Sequence, residues 1–349
     1  MRILITGNMG YVGPVLVRHL RGQFADASLI GYDAGFFAHC LAAAPTLPET
    51  LLDRQVFGDV RALPADLLDG VDAVVHLAAI SNDPMSRQFE AVTGAINFRA
   101  SVAIAEAAQR AGVRSFVFAS SCSVYGASER SARRETDEVQ PLTAYARSKI
   151  DTERFLERMH PGGMTLTCLR FATACGMSPR LRLDLVLNDF VASALATGRI
   201  DVLSDGTPWR PLIDVRDMAR AIEWAILRKR ENGGPFLSVN VGAGNYQIAA
   251  LADTVAGTIP GTTISINAAA APDGRSYQVD FSLFKSLAPA YVPRVPLSES
   301  IANLREGLSE MDFRDANFRE SQNVRLKVLE AHLAARRLTS DLRWTASSY

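Results

Sequence analysis

Near its start the chain reads Thr6-Gly7-Asn8-Met9-Gly10-Tyr11-Val12-Gly13, preceded by Arg2-Ile3-Leu4-Ile5 and followed by Pro14-Val15-Leu16-Val17-Arg18-His19-Leu20. That order predicts a buried strand, a tight turn and a helix. Glycines let the backbone reverse sharply and approach a pyrophosphate, while the helix start adds unpaired N–H groups and the positive end of its dipole. Pro14 is tolerated there because the first helical N–H has no partner to lose. Gly7, Gly10 and Gly13, with Met9 inside the turn, are spaced Gly-x-x-Gly-x-x-Gly, a variant of the commoner dinucleotide spacing. A second strand over residues 28–33 ends in Asp33, twenty residues beyond Gly13. A carboxylate there accepts from adenosine ribose hydroxyls and repels a 2′-phosphate. No Arg or Lys follows Asp33 closely, so NAD is expected over NADP.

Apolar runs and helix-forming stretches alternate through the first half, which predicts an α/β fold with a doubly wound parallel sheet. Further strands are expected over residues 55–60, 72–79, 115–121 and 165–171. Asp59 lies in the first of these, where it can face an adenine. Ala78 and Ala79 end the next and leave room for a cofactor. His76 reads as a packed strand histidine. Helices are expected over about 97–111, closed by Gly112, and over 142–160, stopped by Pro161-Gly162-Gly163. The Ala/Pro/Leu-rich stretch 42–52 has no clear assignment. After residue 172 the pattern changes: a loop carries Arg180 and Arg182, and a helix is expected near 184–197. Residues 212–214, a helix to about 228 and a strand over 236–241 are expected to return to the sheet. A last helix is expected around 323–337, with Val324, Val328, Leu329 and Leu333 as a packing stripe.

The 349 residues are enough for one large or two modest domains. A formal net charge of zero provides no global field for nucleic acid or an anionic membrane, so neither partner is expected. No apolar stretch approaches the roughly 18 residues of a membrane span. The four cysteines (Cys40, Cys122, Cys168, Cys175) show no metal-ligand spacing, so no metal is expected, and a reducing cytoplasm is the simplest setting. The N-terminus enters a strand directly, so no secretory leader is expected.

Tyr145-Ala146-Arg147-Ser148-Lys149 puts Tyr145 and Lys149 at i and i+4 on one helix face. Ser121 ends the strand before that helix, at the sheet edge where open α/β sheets bind ligands. A free phenol is a poor base at neutral pH, and nearby cations favour its ionised form. The expectation is that Lys149 and a positive nicotinamide lower the Tyr145 pKa, that Tyr145 exchanges the proton of a substrate hydroxyl, and that Ser121 orients that oxygen.

Together, the glycine turn, Asp33, Gly58-Asp59-Val60, His76-Leu77-Ala78-Ala79, Ser121-Cys122-Ser123-Val124-Tyr125-Gly126 and Tyr145–Lys149 resemble the extended short-chain dehydrogenases/reductases. Within that family, residues 1–300 are similar to the nucleotide-sugar epimerases and dehydratases. The resemblance implies a Rossmann domain (1–172 with about 207–241) holding NAD. It implies a smaller substrate domain (173–206 and 242–349) and often a homodimer through two sheet-flanking helices. Tyr11, Val12, Val60, Leu77, Asn97, Ala119, Phe171 and Ala172 are then cofactor neighbours, and Lys149 also holds the nicotinamide ribose. Residues 204–217 resemble a diphosphate-gripping segment with Arg210 as its cation, and Asp273-Gly274-Arg275-Ser276-Tyr277 a second with Arg275. Guanidinium forks suit a diphosphate. Arg180 is a further candidate, and Thr173 stands where many relatives have a substrate-touching Asn.

Dehydratases of this group carry an acidic pair after the catalytic hydroxyl; here Cys122 and Ser123 take those places. The implied reaction is therefore epimerisation of a nucleotide-diphosphate sugar, C4 favoured. An NAD(P)-dependent nucleotide-sugar reductase or dehydrogenase is the alternative, with a 4,6-dehydratase behind it, and a non-catalytic NAD-binding scaffold is the alternative of another class.

Overall fold

The computed structural model describes residues 1–127, 131–270 and 276–345. In chain order the strands are β1 (Arg2–Thr6), β2 (Ser28–Asp33), β3 (Arg54–Phe57), β4 (Ala73–His76), β5 (Ser115–Ser121), β6 (Thr165–Phe171), β7 (Thr173–Cys175), β8 (Arg199–Val202), β9 (Trp209–Asp214), β10 (Phe236–Val241), β11 (Gly244–Gln247) and β12 (Thr263–Ile266). The helices are α1 (Gly13–Gln23), α2 (Asp83–Gln88), α3 (Glu90–Thr93), α4 (Ser101–Arg110), α5 (Ala144–Arg158), α6 (Val186–Thr197), α7 (Val215–Leu227), α8 (Ile248–Thr258), α9 (Ser282–Leu287), α10 (Leu297–Glu310) and α11 (Arg325–Ala334).

A seven-stranded parallel sheet in the order β10-β6-β5-β4-β1-β2-β3 forms the centre. Its inner strands are buried on both faces, which is why they read as apolar runs without alternation. Apolar residues of α1 and α7 cover one face (Leu16, Leu20, Ile222) and those of α4 and α5 the other (Ile104, Ala108, Leu156). β5, β6 and β10 have the expected boundaries.

Several elements differ from the sequence reading, each for a physical reason. β3 stops at Phe57, because the Asp59 side chain caps a 3-10 turn by accepting from the Arg61 N–H. The helical stretch before α4 begins at Glu90 and passes through a π turn, Gly94–Ala100. Val92, Thr93 and Gly94 are poor helix formers, but burial of Val92 and Thr93 overrides their propensity. β9 does not return to the main sheet; it pairs with β7 and β11 in a separate three-stranded sheet, and only α7 and β10 rejoin the centre. That small sheet, the β8–β12 pair and α6, α8 and α10 surround a second core built on Leu187, Leu251, Ile301 and Leu304. The C-terminal residues also depart from the expected lobe. Leu329, Leu338 and Leu342 share a core with Leu4, Ile30 and Tyr32, so the end of the chain packs on the central sheet.

A buried polar network fixes the carboxyl ends of β5 and β6 against α5. Arg170 on β6 grips Glu153 of α5 with Nη2 2.6 Å and Nε 2.9 Å from Oε2, and Glu153 also accepts from Ser120 and Ser238. Arg170 Nη1 continues to the Tyr125 hydroxyl, which donates to Asn240. Arg170→Met strands a buried carboxylate and is expected to lower stability by about 3–5 kcal/mol, measured by urea unfolding.

Candidate active site

At the carboxyl ends of β1, β4, β5 and β6 the chain encloses a cavity of about 880 Å³. This is the switch point of the strand order, where an open α/β sheet leaves a crevice. The floor is the glycine turn. Gly7 has φ +74°, and a Cβ there would lie 2.5 Å from the Ala78 nitrogen, so the turn can meet the end of β4 only as glycine. Gly13 is required for a different reason: its Cβ would strike the Asn8 carbonyl at 2.1 Å. No side chain caps the start of α1 and its first turn holds no acid, which leaves its dipole end for an anion. Asp33 is half-buried at the cavity, accepting from the Met9 N–H (3.0 Å) and the Gly35 N–H (2.7 Å). Burial pushes its carboxyl above the usual range, against those two bonds. An uncapped helix start, a glycine floor and a carboxylate at the second strand's end fit a dinucleotide.

Most candidates named above line this cavity: Gly7, Gly10, Tyr11, Val12, Asp33, Asp59, Val60, Leu77, Ala78, Ala79, Ala119, Ser121, Tyr145, Lys149, Phe171, Ala172, Thr173 and Arg210. Four do not, and each has a structural task instead. Met9 is buried and offers its N–H to Asp33, and Gly13 makes room for Asn8. Asn97, in the π turn, bonds both the N–H and the carbonyl of Ile80 and reaches the Ser148 hydroxyl, tying the loop after β4 to α5. Arg180 is fully buried, paired with Glu49 at 2.6 Å and donating to the carbonyls of Phe37 and Ala38, so it is a structural cation rather than a phosphate grip. Arg275 lies outside the described residues.

The hydroxyl end is built by β5 and α5. Thr143 caps α5 by accepting from the Ala146 N–H, which fixes Tyr145 in the first turn and Lys149 one turn later. The Ser121 hydroxyl acts on that of Tyr145, favouring its ionised form. Ser121 Oγ is 2.9 Å from Ser123 Oγ. Lys149 Nζ donates to the Ala119 carbonyl at 2.6 Å and stands 4.6 Å from the Phe118 ring centre and 5.6 Å from that of Tyr145.

The electrostatics differ from expectation. Burial pushes Tyr145 up to about 12, opposed by the Ser121 hydroxyl and the Arg182 charge and reinforced by Asp83. Burial likewise pulls Lys149 down to about 8, with Glu153 opposing. Arg182 is thus a further side-chain cation acting on the phenol, beside Lys149 at 5.6 Å from its ring centre. His76 is the packed histidine expected, between Thr6 and Ser101, and burial pulls it down to about 3, so it is neutral.

Several lining residues are ones that the sequence reading did not assign to the site. Arg182, held by Asp184 through two 2.9 Å bonds, reaches the Ser81 hydroxyl, and Asn82 also donates to Asp184. Tyr277 and Arg325 join them from distant segments. Their spacing carries no signal, because only tertiary contact brings them to the site. Among the described residues there is no metal-binding cluster, and no helix is long and apolar enough to cross a membrane.

Comparison with known proteins places this geometry. The family model of the NAD-dependent epimerase/dehydratase family matches residues 3–242. A UDP-glucose 4-epimerase of Azospirillum brasilense is 30% identical over 264 residues, covering 70% of this chain and 73% of that protein. A dTDP-glucose 4,6-dehydratase of Streptomyces griseus is 28% identical over 309 residues, covering 86% and 92%. Among solved structures, MoeE5 in complex with UDP-glucuronic acid and NAD superposes with a TM-score of 0.75 at 26% identity, covering 89% of this chain and all of that one. With its seven-stranded parallel sheet, its glycine floor and its Ser-Tyr-Lys set, the chain belongs to the NAD-dependent epimerase/dehydratase family.

Proposed function

We propose that the protein is a nucleotide-sugar epimerase that oxidises one ring carbinol, C4 favoured, and reduces the ketone again from the opposite face. What carries this reading is the convergence of Ser121, Tyr145 and Lys149 on the cavity that also holds the glycine turn and Asp33. Oxidised NAD, when bound, supplies a hydride acceptor and a positive charge beside the phenol. Tyr145 takes the proton of the sugar hydroxyl and Ser121 donates to the carbonyl oxygen that results. After the sugar turns over, Tyr145 returns the proton. With burial holding the phenol near 12, ionising it at neutral pH takes on the order of 7 kcal/mol of differential stabilisation. That value already contains the Arg182 charge, so the remainder falls to the positive ring in a dry cleft.

The two positions after Ser121 weigh against dehydration. Cys122 is buried with its thiol on the Arg170 carbonyl, and Ser123 is bonded to Ser121, so neither is a proton-donating acid. Arg210 and Thr173 are proposed to meet the nucleotide diphosphate and the sugar, and Arg275 is proposed as a second grip. The reading includes a homodimer and a cytoplasmic setting, the latter supported by four buried free thiols.

Tyr145→Phe is expected to lower turnover about 10²–10⁴-fold while the purified protein keeps its NAD, measured by product NMR and nucleotide analysis. Stoichiometric NADH formation by the wild type would instead make it a dehydrogenase. Lys149 adds a pH test. A lysine held near 8 when folded and at its ordinary value when unfolded leaves the folded state with fewer bound protons between those limits. Stability then rises with pH across that window. The stability of the nucleotide-free wild type relative to Lys149→Met is expected to increase by about 3 kcal/mol from pH 8 to pH 10.5, read by urea unfolding.

A further inference from the structure

We infer that Arg325, carried in by the C-terminal helix, is the counter-charge for the diphosphate of the bound dinucleotide, and that residues 325–345 form a strap retaining the cofactor between turnovers. This rests on the cavity being the NAD site. Arg325 is 1% exposed, yet its side chain lines the cavity. Its Nη2 donates to the Arg180 carbonyl at 2.7 Å, its Nη1 reaches the Gln322 carbonyl at 3.4 Å, and the guanidinium stands 4.8 Å from the Phe37 ring centre. Among the described residues no carboxylate lies within ion-pair distance of it. Among other buried arginines, Arg170 has Glu153, Arg180 has Glu49 and Arg182 has Asp184, while Arg228, which gives its guanidinium to the carbonyls of Leu166, Asn232 and Gly234, does not line the cavity as Arg325 does. Burying a guanidinium with no carboxylate in contact is costly: burial pulls this one down to about 10, and Asp184, already bonded to Arg182, offsets that only from beyond ion-pair distance. A cation kept at that cost beside a cavity is matched by an anion in the cavity.

The contacts around Arg325 select which anion. The Leu183 N–H donates to the Asn323 carbonyl, so the start of α11 is tied to the loop after β7. The same loop meets the glycine turn, since the Tyr11 hydroxyl donates to the Gly176 carbonyl and Ser178 donates to the Tyr11 carbonyl. The uncapped start of α1 and Arg325 thus reach one cavity through a shared loop. The rest of the strap is fastened to the adenosine end. The His332 ring bonds the Phe36 carbonyl (2.9 Å), Trp344 Nε1 donates to the Ala34 carbonyl (2.5 Å), and Arg343 stands 3.4 Å from Asp59. An epimerase regenerates its NAD in every cycle and gains from never releasing it.

The test is calorimetry on full-length protein stripped of nucleotide, with no sugar present, so that it stands apart from the reaction assigned. Arg325→Met is expected to weaken NAD and ADP by at least tenfold and adenosine, which has no diphosphate, by less than twofold. Trp344→Ala is expected to speed NAD release at least fivefold in a chase experiment. Equal losses for ADP and adenosine, or unchanged NAD affinity, would overturn the assignment. Should Arg325→Met fail to fold, the wild type decides: NAD affinity that falls no more steeply than adenosine affinity between 50 and 500 mM salt refutes it.

Discussion

The backbone of Gly7 lies against that of Ala78 more closely than any residue with a side chain could. Everything at the site depends on this approach. It brings the turn after β1 up to the end of β4 at the point where the strand order changes direction, which leaves α1 starting at the cavity floor with its first turn uncapped. Asp33 is then drawn inward by the Met9 N–H of the same turn. One close contact therefore sets both the anion site and the carboxylate that flanks it.

The hydroxyl end is held by a different kind of force. Glu153 and Arg170, both buried, tie α5 to the ends of β5 and β6, and Ser120 and Ala119 meet Glu153 and Lys149 from consecutive positions on β5. Tyr145 and Lys149 are presented from this clamped helix, so their separation from Ser121 does not depend on a mobile loop. The cost of such rigidity is burial, which raises the phenol and lowers the ammonium. On the proposed function, the positive ring of the bound cofactor, not the resting protein, brings that phenol into a working range.

The second lobe and the C-terminal segment act on opposite ends of the same cavity. The small sheet carries Thr173 and Arg210 to the side proposed for the substrate, while the end of the chain crosses back to Ala34 beyond β2, the side proposed for adenosine. The last residues thus pack on the central sheet, although a boundary drawn along the chain assigns them to the second lobe.

The sheet and half of the site were legible from local pattern. Doubly buried strands leave continuous apolar runs, which is why β5, β6 and β10 could be bounded to the residue, and a glycine turn, an acid at fixed distance and a Tyr/Lys pair one helical turn apart are short-range signals. Where burial overrode propensity, as at Val92 to Gly94, the pattern misled. Arg180 and Arg182 were alike in the sequence, two residues apart on one loop. Only the fold distinguished them, turning the first to Glu49 and the second toward Tyr145. Arg325 carried no signal at all, because its role follows from long-range packing that places an unpaired cation against a cavity built more than a hundred residues earlier. Chemistry set by neighbours in the chain was determined by sequence; charge set by neighbours in space was decided by tertiary structure.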